Sequence, residues 1–331
     1  MTILVTGSSG HLGEALVRVL EAERSEVIGI DIRAGAFTHW TGSITDRAFV
    51  RRCMKGVTTV LHAARLHKPH VATHSRQAFV DVNITGTLNL LEEAANANVA
   101  AFIYTSTTSV FGDALLPPAG APAVWVTEDI TAVPKNIYGV TKAAAEDLCQ
   151  MFARNYSLST IVLRTSRFFP EEDDNATVRA AFADQNAKAN EFLYRRVDIE
   201  DVVDAHLRAA ARAPSTRFAK YIISATTPFS PDDVQELRNR APQVVRRYVP
   251  EYEREYVRRG WTMIRDIDRV YANDKARAEL TWRPRNDFRT LIARLRADDD
   301  IASPLARAIG SKGYHDRVLS EGPYPVEQNP T

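Results

Sequence analysis

A tyrosine and a lysine spaced one helical turn apart, Tyr138 and Lys142, are residues of this sequence whose types can do chemistry together. Their i, i+4 spacing projects both side chains from the same face of a helix. A phenol with a pKa of about 10 is a weak base at neutral pH, but a neighbouring ammonium stabilises the phenolate and lowers its pKa. Tyr138 is therefore predicted to act as a general base that takes a proton from a substrate hydroxyl.

A run of hydroxyl-bearing residues at positions 104–109 adds a third group to this site. The run follows a predicted strand and reads Tyr-Thr-Ser-Thr-Thr-Ser. A hydroxyl at the end of a strand can donate a hydrogen bond to the oxygen of a reacting substrate. We expect one of these hydroxyls to polarise that oxygen while Tyr138 moves the proton.

The first predicted strand leads directly into a glycine-rich turn that opens the first helix. A side chain at Gly7, Gly10 or Gly13 would obstruct the tight turn, the approach of phosphates, or the packing of helix on strand. Asp31 ends the next strand, where an acid binds ribose hydroxyls and repels a 2′-phosphate. These features predict a dinucleotide site that favours NAD over NADP. The residues expected to contact the dinucleotide here are Gly7, Ser9, Gly10, His11, Leu12, Gly13, Asp31, Ile32 and Arg33.

Short runs rich in Val, Ile and Leu alternate with amphipathic stretches of helical length in the first half of the chain. Such apolar runs are typical of parallel strands buried on both faces. We predict strands at Ile3–Thr6, Val27–Asp31, Thr59–His62, Ala101–Ser106 and Thr160–Arg164, and helices at Leu12–Ala22, Phe79–Asn96 and Tyr138–Asn155. The expected fold class is α/β, with a Rossmann-type doubly wound parallel sheet and a smaller carboxy-terminal α/β substrate lobe.

The expected division of the chain follows the same pattern. Residues 1–166 are predicted to form the Rossmann domain, which carries the tyrosine and the lysine. Residues 167–302 are expected to form mainly the substrate lobe, with 197–225 returning to the Rossmann core. Residues 303–331 hold many Gly and Pro residues, which favour an extended tail over a packed helix.

The composition excludes several kinds of protein. Of the 331 residues, 45% are hydrophobic and 25% are charged, as in ordinary globular proteins. With 42 basic and 41 acidic residues the net charge is +1, so we expect no nucleic-acid or membrane partner. The two cysteines, the absence of a signal-peptide pattern and the lack of a long apolar run favour a cytoplasmic protein. No metal site is expected, because Pro69 interrupts the histidines at 67, 70 and 74 and no acidic ligand accompanies them.

Together these motifs resemble the extended short-chain dehydrogenase/reductase family, especially its nucleotide-sugar epimerases and dehydratases, over residues 1–210. The resemblance implies NAD as the cofactor and a catalytic triad of Thr107, Tyr138 and Lys142, with Thr107 five residues before the glycine of a Val-Phe-Gly motif. It also implies a homodimer that pairs the helices Phe79–Asn96 and Tyr138–Asn155. Further cofactor contacts implied by the resemblance are Gly42, Ser43, Ile44, His62, Ala63, Ala64, Asn83, Thr105, Tyr138, Lys142 and Thr165.

The substrate is expected to be a nucleotide sugar or another sugar. The family's dehydratases carry an Asp-Glu pair directly after the catalytic threonine, and this chain has Thr108-Ser109 there, which disfavours dehydration. Arg167 stands where the family has a diphosphate-binding asparagine, and Tyr194 stands where it has a phosphate-binding arginine. The residues expected to contact the substrate are Arg65, His67, Thr107, Thr108, Arg167, Arg195 and Arg196.

The favoured interpretation is epimerase-like chemistry, in which tightly bound NAD takes up a hydride and returns it without net redox change. An NAD-requiring pyranose-furanose mutase acting on a nucleotide sugar is a related alternative. A net dehydrogenase or reductase of a sugar or sugar acid is a second alternative, motivated by Arg167 and Tyr194. The third is a non-catalytic NAD sensor, against which the intact triad argues.

Overall fold

A parallel sheet of seven strands lies at the centre of the protein, whose computed structural model describes residues 2–313. Its order is β3-β2-β1-β4-β5-β7-β8, and every neighbouring pair is parallel. A separate parallel pair is formed by β6 and β9. The strands are β1 Thr2–Thr6, β2 Glu26–Asp31, β3 Trp40–Thr41, β4 Val57–His62, β5 Ala101–Thr107, β6 Val124–Val126, β7 Thr160–Thr165, β8 Phe218–Ile223 and β9 Arg269–Tyr271. This order confirms the predicted doubly wound fold.

Fourteen α-helices occur within the described residues. A π-helical turn, Val80–Thr85, joins α3 to α4, so that these three segments form one continuous helix. The helices are α1 His11–Ala22, α2 Arg47–Cys53, α3 Arg76–Phe79, α4 Gly86–Asn96, α5 Ile137–Asn155, α6 Ala176–Ala181, α7 Asp184–Glu191, α8 Ile199–Thr216, α9 Val234–Leu237, α10 Ala241–Tyr248, α11 Tyr252–Arg259, α12 Asp274–Glu279, α13 Phe288–Arg296 and α14 Pro304–Ile309. None of the helices within residues 2–313 is long and apolar enough to cross a bilayer.

Side-chain alternation along the strands creates one core on each face of the sheet. Val5 of β1 packs with α1 and α8, in a cluster that includes Leu16 and Ala205. Leu4 points to the opposite face, in a cluster with residues of α2, α4 and α5 that includes Leu90. The helices therefore cover both faces, and the carboxyl ends of all seven strands meet at one edge.

The second lobe has its own apolar core, built largely from α10, α11 and α13. Val245, Tyr256 and Phe288 are buried in this cluster. The lobe is tied to the segment that follows β5, because β6 from that segment pairs with β9 from the lobe. Arg269 and Tyr271 of β9 line a cavity that is described below.

Several elements differ from the sequence expectation. The five predicted strands are present, but β3, β6, β8 and β9 were not predicted. An extended tail was expected from residue 303, whereas Pro304–Ile309 is helical. Ser303 caps this helix by accepting a hydrogen bond from the N–H of Ala306 at 3.1 Å, and Ile309 is buried against the sheet-covering helices. Residues 314–331 of the predicted tail lie outside the described residues.

Candidate active site

A cleft begins where the strand order reverses, between β1 and β4. Ligands of open α/β sheets bind at this switch point, outside the carboxyl ends of the strands. Gly7 has a φ of +77°, and a Cβ there would lie 2.8 Å from the backbone nitrogen of Ala64, which follows β4. A Cβ on Gly13 would lie 1.9 Å from the carbonyl oxygen of Gly7. The glycine-rich turn therefore fits against β4 only without side chains at these positions.

The cleft has a volume of about 540 Å³ and is lined by most of the predicted cofactor residues. Asp31 accepts hydrogen bonds from the N–H groups of Ser9 (3.1 Å) and Arg33 (2.9 Å), so its carboxylate lies beside the glycine-rich turn. Ile32 follows it and is 68% exposed, an apolar surface that an adenine ring can cover. The predicted residues that line the cleft are Gly7, Ser9, Gly10, His11, Leu12, Gly13, Asp31, Ile32, Arg33, Gly42, Ser43, Ile44, Ala63 and Ala64.

These residues fit NAD. Gly10, the N-cap residue of the 12-residue helix α1, has no side chain to cap the helix, and the backbone N–H groups of the first turn lie along the cleft. An anionic pyrophosphate satisfies such groups. Asp31 supplies the acceptor for ribose hydroxyls, and its charge opposes a 2′-phosphate.

Three of the predicted cofactor contacts, Asn83, His62 and Thr105, are buried and do not line the cleft, so direct contact with the cofactor stays a prediction for them. Asn83 is buried and exchanges two hydrogen bonds of 2.9 Å with the backbone of Leu66. His62 is buried, and Thr105 bonds the ring of His206 at 2.8 Å. Their polar groups are used to fix the loop after β4 and the end of β5, because buried polar atoms need partners. Thr165, a fourth predicted contact, lines the neighbouring substrate cavity.

The first turn of α5 presents the predicted base. Asn136 caps the helix by accepting a hydrogen bond from the N–H of Gly139 at 3.1 Å. A Cβ on Gly139 would lie 2.9 Å from the carbonyl oxygen of Ser109, so α5 packs closely on the turn that follows β5. Thr107 ends β5 and accepts a hydrogen bond from the N–H of Ser109 at 3.1 Å. This packing brings Tyr138 and Thr107 to the lining of one cavity.

Lys142 lies one helical turn below Tyr138 and is almost fully buried. Its ammonium donates a hydrogen bond of 2.7 Å to the carbonyl oxygen of Thr105 and lies 3.9 Å from the centre of the Tyr104 ring. Burial, followed by the positive charge of Arg65, lowers the pKa of Lys142 well below its ordinary value. Sequence spacing gives no signal of this second cation, because Arg65 is distant along the chain.

The second cavity, of about 300 Å³, is the candidate substrate site. Six cationic side chains line it, and among the residues that the structure describes Asp174 is its only carboxylate. The cations are Arg65, Lys68, Lys135, Arg167, Arg195 and Arg269. The predicted residues that line it are Arg65, His67, Thr107, Thr108, Tyr138, Thr165, Arg167 and Arg195. Sequence analysis missed Lys68, Lys135, Arg269 and Tyr271, which carry no motif.

Arg196 does not line either cavity, in contrast to the sequence expectation. It is buried and donates hydrogen bonds to Glu191 (2.7 Å) and to the carbonyl oxygen of Phe169 (2.6 Å). Arg195 reaches the same carboxylate at 2.8 Å. Burial alone would raise the pKa of Glu191, but Arg195, Arg167 and Arg196 lower it to about 2.

Arg167, the residue at the family's asparagine position, is also held by acids. It pairs with Asp173 at 2.8 Å and donates to the carbonyl oxygen of Glu172 at 2.9 Å. The acidic turn at residues 170–175 thus folds back onto the arginines. The guanidinium lies at the cavity wall with two of its donors already engaged.

The three histidines after β4 form ring contacts and line the cofactor cleft. His67 and His70 are 4.9 Å apart between ring centres, as are His70 and His74. Within residues 2–313, no group of three or more His, Cys, Asp or Glu side chains is placed to hold a metal ion.

Known proteins share much of the sequence pattern. A UDP-glucose 4-epimerase from Erwinia amylovora is 29% identical over 182 residues, which cover 50% of this chain and 52% of that protein. An uncharacterised protein, y4nG, from Sinorhizobium fredii is 31% identical over 168 residues, covering 49% of this chain and 40% of that one. The chain spans about half the length of the curated relatives it matches.

Solved structures share the fold. A short-chain dehydrogenase/reductase superfamily protein from Agrobacterium tumefaciens with bound NAD superposes with a TM-score of 0.64 at 21% identity, covering 90% of this chain and 98% of that one. The UDP-glucose 4-epimerase of Thermotoga maritima, solved with UDP-glucose, gives 0.62 at 22% identity, covering 90% and 99%. The model of the NAD dependent epimerase/dehydratase family matches residues 3–223, two thirds of the chain. This protein therefore belongs to that family of NAD-dependent enzymes.

Proposed function

We propose that the protein modifies the sugar of a nucleotide sugar by epimerase-like chemistry, with tightly held NAD and no net redox change. The observation that carries this proposal is that the cofactor cleft and the substrate cavity share one wall. Arg65, His67, Phe168 and Phe169 line both spaces. A sugar carbon in the second space can therefore meet a cofactor in the first, beside Tyr138. The names of the Erwinia and Thermotoga proteins point to the same substrate class.

When bound, NAD would supply the acceptor for a hydride from a sugar carbinol and the donor for its return. The residues of this chain handle the proton and the oxygen. Tyr138 takes the proton from the reacting hydroxyl as a general base, and Thr107 donates a hydrogen bond that polarises the same oxygen.

The positive charge that stabilises the phenolate comes from two residues in this proposal. Lys142 provides it when protonated, but its pKa is well below the ordinary range because of burial and Arg65. Arg65 provides the second cation, a guanidinium that lies in the wall shared by both spaces.

Water elimination has little support at this site. Thr108 lies beside the catalytic threonine and lines the cavity, where a dehydratase of the family has a carboxylate. Asp174 is paired with Lys68. Proton and hydride exchange is the chemistry that the remaining hydroxyls support.

A net dehydrogenase of a small anionic sugar or sugar acid is the second candidate, and the substrate side of the site favours it. Arg167 is engaged by Asp173, and Tyr194 is buried in the core of the second lobe instead of facing a diphosphate. The cavity of about 300 Å³ is at the small end for a ligand site. Its cations would bind a single carboxylate or phosphate group.

One preparation tests both candidates. The purified protein is denatured and the released nucleotides are identified by mass spectrometry, while native protein is incubated with nucleotide sugars and with free uronic acids and sugar phosphates. Co-purified NAD and a product of unchanged mass, formed without added cofactor, support the first proposal, and NMR of the product separates an epimer from a furanose. A product two hydrogens lighter, formed only with added NAD, supports the second candidate. No turnover of any member of the panel would contradict both.

A further inference from the structure

The segment that follows α14 crosses one end of the cofactor cleft. Gly310 ends the helix with a φ of +61°, and the chain then turns towards the glycine-rich turn near the other end of the sequence. Lys312 and Gly313 line the cleft together with Gly10 and His11. We call residues 310–313 the strap. The strap lies about 300 residues after the glycine-rich turn in the sequence, so no local sequence motif indicates that it lines the cleft.

Hydrogen bonds fix the strap to the residues around the cleft. The hydroxyl of Ser311 donates to Glu171 at 2.7 Å. The backbone N–H of Lys312 lies 3.3 Å from the same carboxylate oxygen and 3.2 Å from Nε2 of His11. His11 and Glu171 are themselves paired at 2.9 Å. His11, which belongs to the glycine-rich turn, therefore connects the strap to the phosphate end of the cleft.

The anchoring carboxylate is ionised at neutral pH. Burial alone would raise the pKa of Glu171, but hydrogen bonds and charge from His11, together with the hydroxyl of Ser311, lower it to about 2. The carboxylate therefore accepts hydrogen bonds from the strap over the whole working range of pH.

Lys312 shares its carboxylate partner with a second cation. Its ammonium is paired with Glu14 in the first turn of α1. Arg18 also holds Glu14, through a pair of 2.8 Å, so this carboxylate remains compensated when Lys312 moves. The ammonium is thus attached next to the helix start at which a dinucleotide presents its phosphates.

We propose that Lys312 binds the pyrophosphate of NAD and that the strap retains the cofactor between turnovers. This inference rests on the proposed cofactor site at the glycine-rich turn. The ammonium adds a charge-assisted contact to those offered by the backbone N–H groups of that turn. A strap over the phosphates also slows the departure of NAD, which suits an enzyme that recycles its cofactor.

Binding to full-length Lys312→Ala tests the proposal, with NAD, ADP-ribose and adenosine as probes in isothermal titration calorimetry of nucleotide-free protein. The Kd of NAD and of ADP-ribose should rise about tenfold, the usual loss for one charge-assisted hydrogen bond, whereas the Kd of adenosine, which has no phosphate, should not change. Stopped-flow displacement should show faster release of NAD. Lys55→Ala, an exposed lysine on another surface, is the matched control and should bind all three probes like the wild type.

A second pair of variants separates direct contact from an indirect effect of Glu14. If Lys312 acted only by neutralising Glu14, the double variant Lys312→Ala/Glu14→Gln would regain wild-type affinity for NAD, and that result would overturn the proposal. Under direct contact the double variant stays weak. An unchanged NAD affinity in Lys312→Ala would overturn it as well.

Asp31→Asn shows which proposal has failed. If Asp31→Asn weakens NAD binding while Lys312→Ala does not, the cofactor site stands and the strap contact is wrong. If neither variant changes NAD binding, the placement of NAD at the glycine-rich turn is wrong. The proposed contact of Lys312 with NAD is then wrong too.

Discussion

At the scale of single residues, the lysine of the candidate triad has a cationic neighbour that motif spacing does not reveal. The i, i+4 pattern predicted that Tyr138 and Lys142 share a helix face, and both are placed in the first turns of α5. Arg65 approaches from the loop after β4 and helps to lower the pKa of Lys142. The sequence reveals periodicity within one helix or strand. The approach of a charge from a different element depends on the tertiary fold and cannot be predicted from that periodicity.

Tyr138→Phe tests the proposed base directly. The substitution removes the phenol oxygen and keeps the ring, so folding and NAD binding should be unchanged while turnover falls by about 100-fold to 10,000-fold. Steady-state kinetics on the substrate found in the panel measures turnover, and calorimetry measures NAD affinity. The loss should appear in kcat and kcat/KM alike, because the group acts in the transition state.

Tyr156→Phe provides the matched control, since Tyr156 lies directly after the same helix and is 58% exposed. It should keep wild-type kinetics. Turnover by Tyr138→Phe at the wild-type rate would remove the phenol from the mechanism.

At the scale of elements, five of the seven strands of the sheet and the helices α1, α4 and α5 could be predicted, because the strands carry continuous apolar runs and the helices carry apolar residues at helical spacing. The ends of β1, β2, β4, β5 and β7 fall within two residues of the predicted limits. The short strands β3, β6 and β9 could not be predicted, because two or three residues carry no periodicity. The helix at Pro304–Ile309 was not predicted, because the many Gly and Pro residues of this region favoured an extended tail. The capping residue Ser303 was given no weight.

The contacts of the arginines in the substrate lobe could not be predicted from the sequence either. Sequence analysis predicts that Arg167, Arg195 and Arg196 contact the substrate, and in the structure all three converge on Glu191 at the end of α7. This convergence joins the acidic turn, α7 and the segment before α8. Glu191 is therefore a structural centre that holds the cavity wall.

Glu191→Gln should destabilise the fold by about 3–5 kcal/mol at pH 7, because it leaves buried guanidinium groups without their counter-charge. The pKa of Glu191 is about 2 in the folded state, below the ordinary glutamate value, so its contribution is complete above about pH 4.5 and is lost as the pH falls towards 2. Urea unfolding at a series of pH values measures this. The difference in the free energy of unfolding between wild type and Glu191→Gln should decrease over that acidic range.

Glu253→Gln is the control, since Glu253 pairs with Arg246 at the surface. Such exposed pairs contribute about 0–1 kcal/mol, so this variant should be nearly as stable as the wild type. If Glu191→Gln is equally stable, the buried network does not hold the lobe.

At the scale of the whole molecule, the resemblance to the family implies a homodimer, and α4 and α5 have an outer surface that suits one. Val140 is 48% exposed, and Leu88, Leu148 and Met151 are only partly buried against the core. These apolar side chains lie on neighbouring helices, away from the cleft. Apolar side chains that stay partly exposed on neighbouring helices are typical of a surface that a second copy covers.

Val140→Glu should shift the assembly towards monomer. In a two-fold dimer each substitution occurs twice, and each unpaired carboxylate that is buried costs about 3 kcal/mol or more, so the dimer Kd should rise at least about 10,000-fold. Size-exclusion chromatography with light scattering at micromolar concentration reads the mass of each variant. Val257→Glu is the matched control, because Val257 lies on α11 of the second lobe and is 80% exposed. A monomeric wild type would contradict the dimer, and a Val140→Glu protein as dimeric as the control would place the interface on another face.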